Sequence, residues 1–418
     1  MPTTRFARRA RRAGVTQEHS VRWLAEVLVL IIDVVLLVVL VLSFAVGIQR
    51  GLVASLGALV GLIAGAVAAF WLMPVVNDAW PWQEWRPLVV VVVGVLLLVL
   101  GASIGGVVGA LLRRGVDRIK LKWIDRALGG VISAVVAALV LSLIGSSVAV
   151  TGTPVLSASV ASSRVLMAIE QATPPPVTAA LAQLRAAVLD ETIPRLGSIL
   201  SDETAPTAPP VALDQSDLSQ AAASVARVSG TAFACGRSLT GSGFVIAPGR
   251  VLTNAHVLAG VTTPVVELPG LPARDGTIVY FDPVDDLAVV AVDGLEAQPL
   301  SVVDTLAPGS QAVVQGYPFG GPFTSVNASV LSVGVVPVPD VYDTVSAPRE
   351  IYALAAVVQP GNSGGPLLTP TGAVAGVVFA RSQDDADRGY AMTPAEFTAV
   401  VAEAPALQAP VPTGECTS

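Results

Sequence analysis

The chain has 418 residues, of which 53% are hydrophobic and only 13% are charged, and its mean hydropathy is +0.70. A soluble globular protein carries about 25% charged residues, so this composition argues against a purely soluble chain. Residues 1–150 carry 14 Lys and Arg against 7 Asp and Glu, a net charge of +7, whereas residues 151–418 carry 10 against 24, a net charge of −14. The acidic half has no basic patch, which argues against nucleic acid as a partner.

Residues 1–22 are an Arg-rich tail without apolar periodicity. Four apolar runs follow, and each is close to the roughly 20 residues that a helix needs to cross a bilayer. The runs are Trp23–Val46, Leu52–Met73, Leu88–Leu112 and Ala127–Val150. A cleaved signal peptide is the alternative for the first run, but the run is too long for a signal-peptide apolar core. The pattern predicts a transmembrane domain of four helices over residues 23–150, surrounded by membrane lipid.

Two of these runs contain glycines at every fourth position, which places each set on one helix face and permits close contact between helices. The contact would lie within one four-helix unit or, alternatively, between two copies of the chain. The glycines are Gly57, Gly61 and Gly65 in the second run and Gly101, Gly105 and Gly109 in the third.

The positions of the basic residues predict two conflicting orientations of the chain in the membrane. The loop 113–126 holds six Lys and Arg residues, which predicts that it is cytoplasmic and that the next span carries the acidic half outside. The tail 1–22 holds six Arg residues and would also be cytoplasmic, which four spans do not allow. We give the short loop more weight and expect a multi-pass protein whose acidic half is extracytoplasmic, on the periplasmic side.

Both cysteines, Cys235 and Cys416, lie in the acidic half, 181 residues apart. Their spacing fits neither a CxxC motif nor a metal site, and we predict no metal and no cofactor. Two free buried thiols and a single disulfide are both open from the spacing alone. The disulfide would require an oxidising compartment.

Residues 151–222 are predicted to be a connector with short amphipathic stretches, such as Val177–Leu189, and two Pro-rich breaks that act as spacers. Over 223–418, short β-type runs separated by turn residues predict an all-β sandwich or barrel. The runs are Gly243–Ala247, Arg250–Thr253, Thr277–Tyr280, Leu287–Val292, Gln311–Gln315, Ala328–Val335, Ala353–Val358 and Ala373–Ala380.

Residues 359–367 read Gln-Pro-Gly-Asn-Ser-Gly-Gly-Pro-Leu. A Ser hydroxyl is a poor nucleophile unless a base takes its proton, and acyl transfer also needs backbone N–H groups at the developing oxyanion. A turn that contains Gly361 can bring such groups together, because glycine tolerates the required dihedrals. The segment indicates Ser363 as a nucleophile, with an oxyanion hole over Gly361, Asn362 and Ser363. A plain hairpin turn is the alternative.

A base and an orienting acid are found upstream. The chain has two histidines, His19 in the tail and His256 in the β region. We therefore predict His256 as the base, although a lone histidine is more often structural. Asp286 directly precedes an apolar strand and is the predicted acid, whereas Asp282 and Asp285 suit turn positions. The order His, Asp, Ser is that of the chymotrypsin-type triad.

These motifs together resemble a chymotrypsin-like protease of the trypsin and HtrA type over residues 230–400. The whole chain is similar to the actinobacterial membrane-anchored acid-resistance proteases (MarP type), and its membrane part resembles a colicin V production protein (CvpA-like) domain. The matching segments are Gly241–Ile246, Thr253–His256, Asp286–Val289, Gly316–Pro318, Gly361–Leu367 and Gly372–Val377, with Arg50-Gly51 and Asp125–Gly130 in the membrane part.

The resemblance implies a double six-stranded β-barrel with His256, Asp286 and Ser363 in the cleft, and a disulfide between Cys235 and Cys416. It also implies a role in acid and oxidative stress through cleavage of cell-envelope proteins, and autocleavage would add the connector to the substrates. Because 55 residues follow Ser363, we expect no PDZ domain. A catalytically silent, membrane-tethered binding module or scaffold is the alternative function.

The substrate side-chain pocket is predicted to be apolar and to favour small or medium apolar P1 residues. Val357 occupies the position six residues before Ser363, where trypsin-like enzymes carry an acid. The predicted pocket residues are Val357, Val377, Val378 and Phe379.

Overall fold

The computed structural model describes residues 3–82, 85–113, 122–149, 156–189, 193–197, 205–235 and 237–417. Four long helices come first, and each contains a stretch that is long and apolar enough to cross a membrane. They are α1 (Thr3–Arg50), α2 (Leu52–Ala79), α3 (Arg86–Arg113) and α4 (Lys122–Ala149). The four-helix membrane part is confirmed, with spans over Val27–Arg50, Leu52–Met73, Leu88–Leu111 and Trp123–Ala149.

The Arg-rich tail is helical. Helix α1 begins at Thr3 and runs without a break into the first span. A tail without apolar periodicity can be helical when it extends a helix that is already nucleated, because elongation costs far less than nucleation. The predicted basic loop 113–126 lies mostly outside the described residues, which omit 114–121.

Helices α2 and α3 pack through the predicted glycines. A Cβ atom at Gly61 would collide with the backbone of Gly101 and Gly105, and one at Gly57 would collide with Gly105 and Gly109. Small residues that let two helix backbones approach this closely are typical of membrane helix pairs. The glycine faces therefore meet within one chain.

Three short helices follow the membrane part: α5 (Leu156–Ala161), α6 (Arg164–Ala172) and α7 (Pro175–Leu189). Asp33 of α1 accepts hydrogen bonds from the Ser163 hydroxyl at 2.6 Å and the Val165 N–H at 3.2 Å, at the start of α6. A partly buried carboxylate is stabilised by such donors. This contact holds the start of α6 against the end of the bundle at which α4 finishes.

The described residues of the connector that follow α7 contact the β region. The Ala205 N–H donates to Leu331, and the Val211 N–H donates to the Asn327 side chain. Helix α8 (Ser216–Ala222) buries Leu218 fully in the core of the β region. Proline is tolerated in this segment because a chain that crosses the strands does not use every backbone N–H in sheet hydrogen bonds.

The β region contains two barrels. The strands of the first are β2 (Val225–Ala232), β3 (Arg237–Ala247), β4 (Arg250–Thr253), β5 (Val265–Glu267), β6 (Arg274–Asp275), β7 (Thr277–Asp282) and β8 (Leu287–Ala291). The strands of the second are β9 (Gln311–Gly316), β10 (Thr324–Pro339), β11 (Ser346–Ala355), β12 (Pro366–Leu368), β13 (Val374–Ser382) and β14 (Arg388–Met392), followed by helix α9 (Pro394–Glu403).

The first sheet has the order β6-β5-β2-β3-β4-β8-β7, and only Gly276 separates β6 from β7, so one bent strand closes this barrel. The second sheet has the order β1-β13-β12-β9-β10-β11-β14, in which β1 is Arg195–Leu196, and an added β13–β14 pairing closes it. Its additional strand β1 comes from the connector. The chymotrypsin-like double barrel is therefore confirmed, and an apolar cluster that includes Phe244 of the first barrel and Phe379 of the second joins the two halves.

Candidate active site

Asp286 and His256 form the best-defined contact between predicted site residues. The Asp286 carboxylate lies 2.8 Å from His256 Nδ1, and it also accepts the backbone N–H of His256 at 2.9 Å. Asp286 is 3% exposed. A carboxylate that holds both the ring and the backbone of one histidine fixes the orientation of the imidazole.

The local sequence explains this contact. His256 lies in a 3-10 turn, Ala255–Val257, directly after β4, and Asp286 directly precedes β8, which pairs with β4. Asp286 has φ 54°, and the Asn254 side chain donates to its carbonyl at 2.8 Å. Asp282 accepts the N–H groups of Val284 and Asp285, which is the turn role predicted from the sequence.

Ser363 lies on a turn clamped between the two barrels. The Ser363 carbonyl accepts the Ser242 N–H at 2.8 Å, and the Gly361 carbonyl accepts the Ser242 hydroxyl at 2.7 Å. Gly361 and Gly364 have φ 90° and 80°, and a Cβ on Gly364 would collide with Ser242 and Thr253. Only glycine fits these two positions.

The predicted oxyanion residues differ in their backbone bonds. The Asn362 N–H donates to Gln359 at 3.0 Å within the turn, and the Asn362 side chain accepts the Gln359 N–H. The N–H and the side chain of Asn362 therefore both bond within the turn. The oxyanion role of Asn362 stays a prediction. The N–H groups of Gly361 and Ser363 donate to no residue within the described part of the chain.

The structure does not join the Ser363 hydroxyl to the imidazole. Ser363 Oγ and His256 Nε2 are both buried, and among the described residues neither makes a hydrogen bond. Catalytic hydrogen bonds are often long in unliganded enzymes and shorten when substrate binds. The turn residue Gly364 nevertheless lies against Thr253 and Asn254, which lead directly to His256.

A cavity of about 280 Å³ opens beside His256 and Asp286. Of the four residues predicted for the specificity pocket, Phe379 lines this cavity, whereas Val377 and Val378 are buried in apolar clusters and Val357 is 43% exposed. Side chains alternate along a strand, which places Val378 in a different apolar cluster from Val377 and Phe379. The guanidinium of Arg349 lies 5.8 Å from the centre of the Phe379 ring.

Sequence reasoning missed the other walls of this cavity. The connector strand β1 pairs in parallel with β13, with the Arg381 N–H donating to Pro194 and the Gln383 N–H to Leu196. The β10–β11 hairpin contributes Asp340, whose pKa is lowered by hydrogen bonds from Thr344. No sequence motif marks these segments, because a two-residue strand has no periodicity.

The two cysteines form a disulfide, with a Cα–Cα distance of 6.4 Å. The C-terminal segment lies on the first barrel around it: the Gly260 N–H donates to Thr413, and Arg237 donates to the Thr417 carbonyl at 2.9 Å. The disulfide that the resemblance implied is therefore present.

Two family patterns match the chain in order. Residues 32–174 match the family described as Colicin V production protein, and residues 241–377 match the family described as Trypsin-like peptidase domain. The protein HhoB of Synechocystis is 39% identical over 166 residues, which are 37% of each chain.

A longer similarity is found to a serine protease of another organism. The serine protease Rv3671c of Mycobacterium tuberculosis is 35% identical over 272 residues, which are 63% of this chain and 68% of the relative. The crystal structure of the active form of the Rv3671c protease superposes with a TM-score of 0.50 at 34% identity and covers 54% of this chain and 100% of that one. The chain therefore belongs to the family of Rv3671c, the MarP type, and is a serine protease with a colicin V production region ahead of a trypsin-like peptidase domain.

Proposed function

We propose that the protein is a membrane-bound serine endopeptidase that uses Ser363, His256 and Asp286 as its catalytic triad. The observation that carries the proposal is the Asp286 carboxylate, which accepts from both the ring and the backbone N–H of His256. An imidazole held in this way presents Nε2 towards a nucleophile, in the tautomer that a general base requires.

The mechanism follows from these positions. His256 takes the proton of the Ser363 hydroxyl, and Ser363 Oγ attacks the peptide carbonyl carbon to form a tetrahedral intermediate. The N–H groups of Gly361 and Ser363 stabilise its oxyanion. His256 then protonates the leaving amine, and a water activated by His256 hydrolyses the acyl-enzyme.

We place the peptidase domain, 223–418, outside the cytoplasm. The disulfide supports this side because such bonds persist in oxidising compartments, and the basic loop 113–126 supports it through the positive-inside rule. The proposed division of the remainder is a tail over 1–22, a lipid-embedded domain over 23–150 and a connector over 151–222.

The substrates that we propose are proteins or peptides of the cell envelope, cleaved under acid or oxidative stress, and the connector is a candidate for autocleavage. The support for the stress role is the family resemblance. A preference for apolar P1 residues stays a prediction, supported by Phe379 in the cavity wall.

The test is labelling of the full chain in detergent with a fluorophosphonate probe. We expect the wild type to be labelled. Ser363→Ala and His256→Ala should not be labelled, since loss of either residue lowers kcat by about 10⁶-fold. The matched controls are His19→Ala and Ser332→Ala, a buried serine of the second barrel, which should both react like the wild type. Labelling of Ser363→Ala would refute the nucleophile, and an unlabelled wild type would favour the silent binding module.

A further inference from the structure

A largely buried ion pair lies in the first barrel, outside the triad. Arg227 of β2 binds Glu267 of β5 with both arms of its guanidinium, at 2.6 Å from Nη2 and 3.0 Å from Nε. Burial opposes the charge on Arg227, but the Glu267 carboxylate outweighs it, and the pKa of Arg227 is raised above its ordinary value. Arg227 therefore stays protonated at every pH at which the protein would be assayed. The triad mechanism does not use this cation.

The remaining guanidinium nitrogen of Arg227, Nη1, contacts the second barrel. Nη1 donates to the Gly320 carbonyl at 3.0 Å, and the guanidinium lies 5.8 Å from the centre of the Tyr317 ring. Gly320 ends a 3-10 turn, Pro318–Gly320, in which Phe319 has φ 56°. A non-glycine residue in this region is strained and persists only when its surroundings hold it. Arg227 is one of the groups that hold it.

The same turn contacts the oxyanion segment. The Phe319 N–H donates to the Pro360 carbonyl, and a Cβ on Gly361 would collide with Tyr317 and Phe319. A trans peptide unit is planar, so its C=O and N–H point in opposite directions. When Phe319 holds the Pro360 carbonyl, the Gly361 N–H of the same peptide unit must point the opposite way.

We propose that Arg227 is a positioning residue for the oxyanion hole. Through Gly320 it fixes the Phe319 N–H, which keeps the Pro360–Gly361 peptide turned so that the Gly361 N–H can meet the oxyanion. This role rests on the proposed protease site. The peptide could otherwise rotate and present a carbonyl oxygen, which repels a developing negative charge.

The connector also contacts this turn, so the test requires the full chain. Gly321 packs directly against Ala182 of α7, and Glu170 of α6 adds to the electrostatic field at Arg227. A domain without these helices would lack part of the support for the turn.

The experiment measures the kinetics of fluorophosphonate labelling for Arg227→Met in the full chain in detergent. We expect the maximal labelling rate to fall about tenfold or more, because removing a direct oxyanion donor costs about 10²–10³-fold and this effect is indirect. The probe concentration at half-maximal rate should stay within about twofold, since the lost interaction belongs to the transition state. A general loss of fold would change the reactive fraction instead.

The matched control is Arg250→Met. Arg250 is a partly buried arginine of the same barrel that donates to the carbonyls of Ala404 and Leu407. Its loss should lower the melting temperature without changing the labelling rate. Arg227→Lys retains the charge but not the fork, and it should label at an intermediate rate.

An unchanged maximal rate in folded Arg227→Met would overturn the inference, as would a change confined to the half-maximal concentration. If Arg227→Met does not fold, a wild-type rate in Arg227→Lys would overturn it equally. An unlabelled wild type, or a labelled Ser363→Ala, would instead refute the protease site itself, so the two failures are distinguishable.

Discussion

Backbone strain among the described non-glycine residues is concentrated near the cleft. Positive φ angles occur at Asp286, Phe319 and Asp343, and the first two lie at the proposed acid and behind the oxyanion turn. Such positions cost about 1–3 kcal/mol each. The Asn254 side chain holds Asp286 through its carbonyl, so part of the fold's stability keeps the site in one geometry.

A carboxyl on α9 gives a pH-dependent prediction. Burial, with further repulsion from Asp285 and Glu350, raises the pKa of Glu396, which accepts the Glu350 N–H at 2.7 Å. A folded-state pKa above the unfolded one destabilises the fold at neutral pH, and this cost is relieved as the pH falls through the folded-state pKa. We expect Glu396→Gln, which retains the acceptor, to melt above the wild type at pH 7, with a gap that narrows towards pH 4.

Thermal unfolding of the full chain in detergent at both pH values checks this, with Glu403→Gln at the exposed end of the same helix as the control. A gap that widened on acidification would contradict a raised pKa of the half-buried Glu396 carboxyl.

At the scale of elements, the sequence predicts those strands whose limits are set by neighbouring residues. Strand β4 has the predicted bounds, Arg250–Thr253, because a short apolar run ends there at a turn. Strand β1 could not be predicted, since its two residues are paired by β13 almost 190 positions later. The predicted triad residues lie in recognisable local motifs, whereas the cavity beside them is built from distant segments.

The packing of α2 on α3 also yields a prediction at this scale. We expect Gly105→Ala to lower the melting temperature of the full chain in detergent, because the new methyl would collide with Gly57 and Gly61 and overpacking costs about 1–3 kcal/mol. Gly94→Ala on the same helix is the matched control, since its Cβ would lie 3.7 Å from the Met73 sulfur, an ordinary contact. Equal melting temperatures for the two variants would contradict a tight glycine interface.

At the scale of the whole molecule, the disulfide spans 181 residues. Cross-linking a loop of this length removes about 5 kcal/mol of unfolded-chain entropy in the chain-entropy description. We expect the double variant Cys235→Ser, Cys416→Ser to lose free energy of unfolding up to that size, measured by denaturant titration of the full chain. The wild type with reductant should match the variant, and a variant as stable as the oxidised wild type would rule out this contribution.

Each end of the peptidase region lies on the barrel that is farther from it in the sequence. The segment before the first barrel runs along β10 of the second, through Ala205 and Val211, and the segment after the second barrel is fixed on the first, through Thr413 and Cys416. A hinge that opened the cleft would have to pull both segments off the opposite barrel at once. We therefore expect the two halves to move as one body, which would favour substrates that present an extended segment to the cleft.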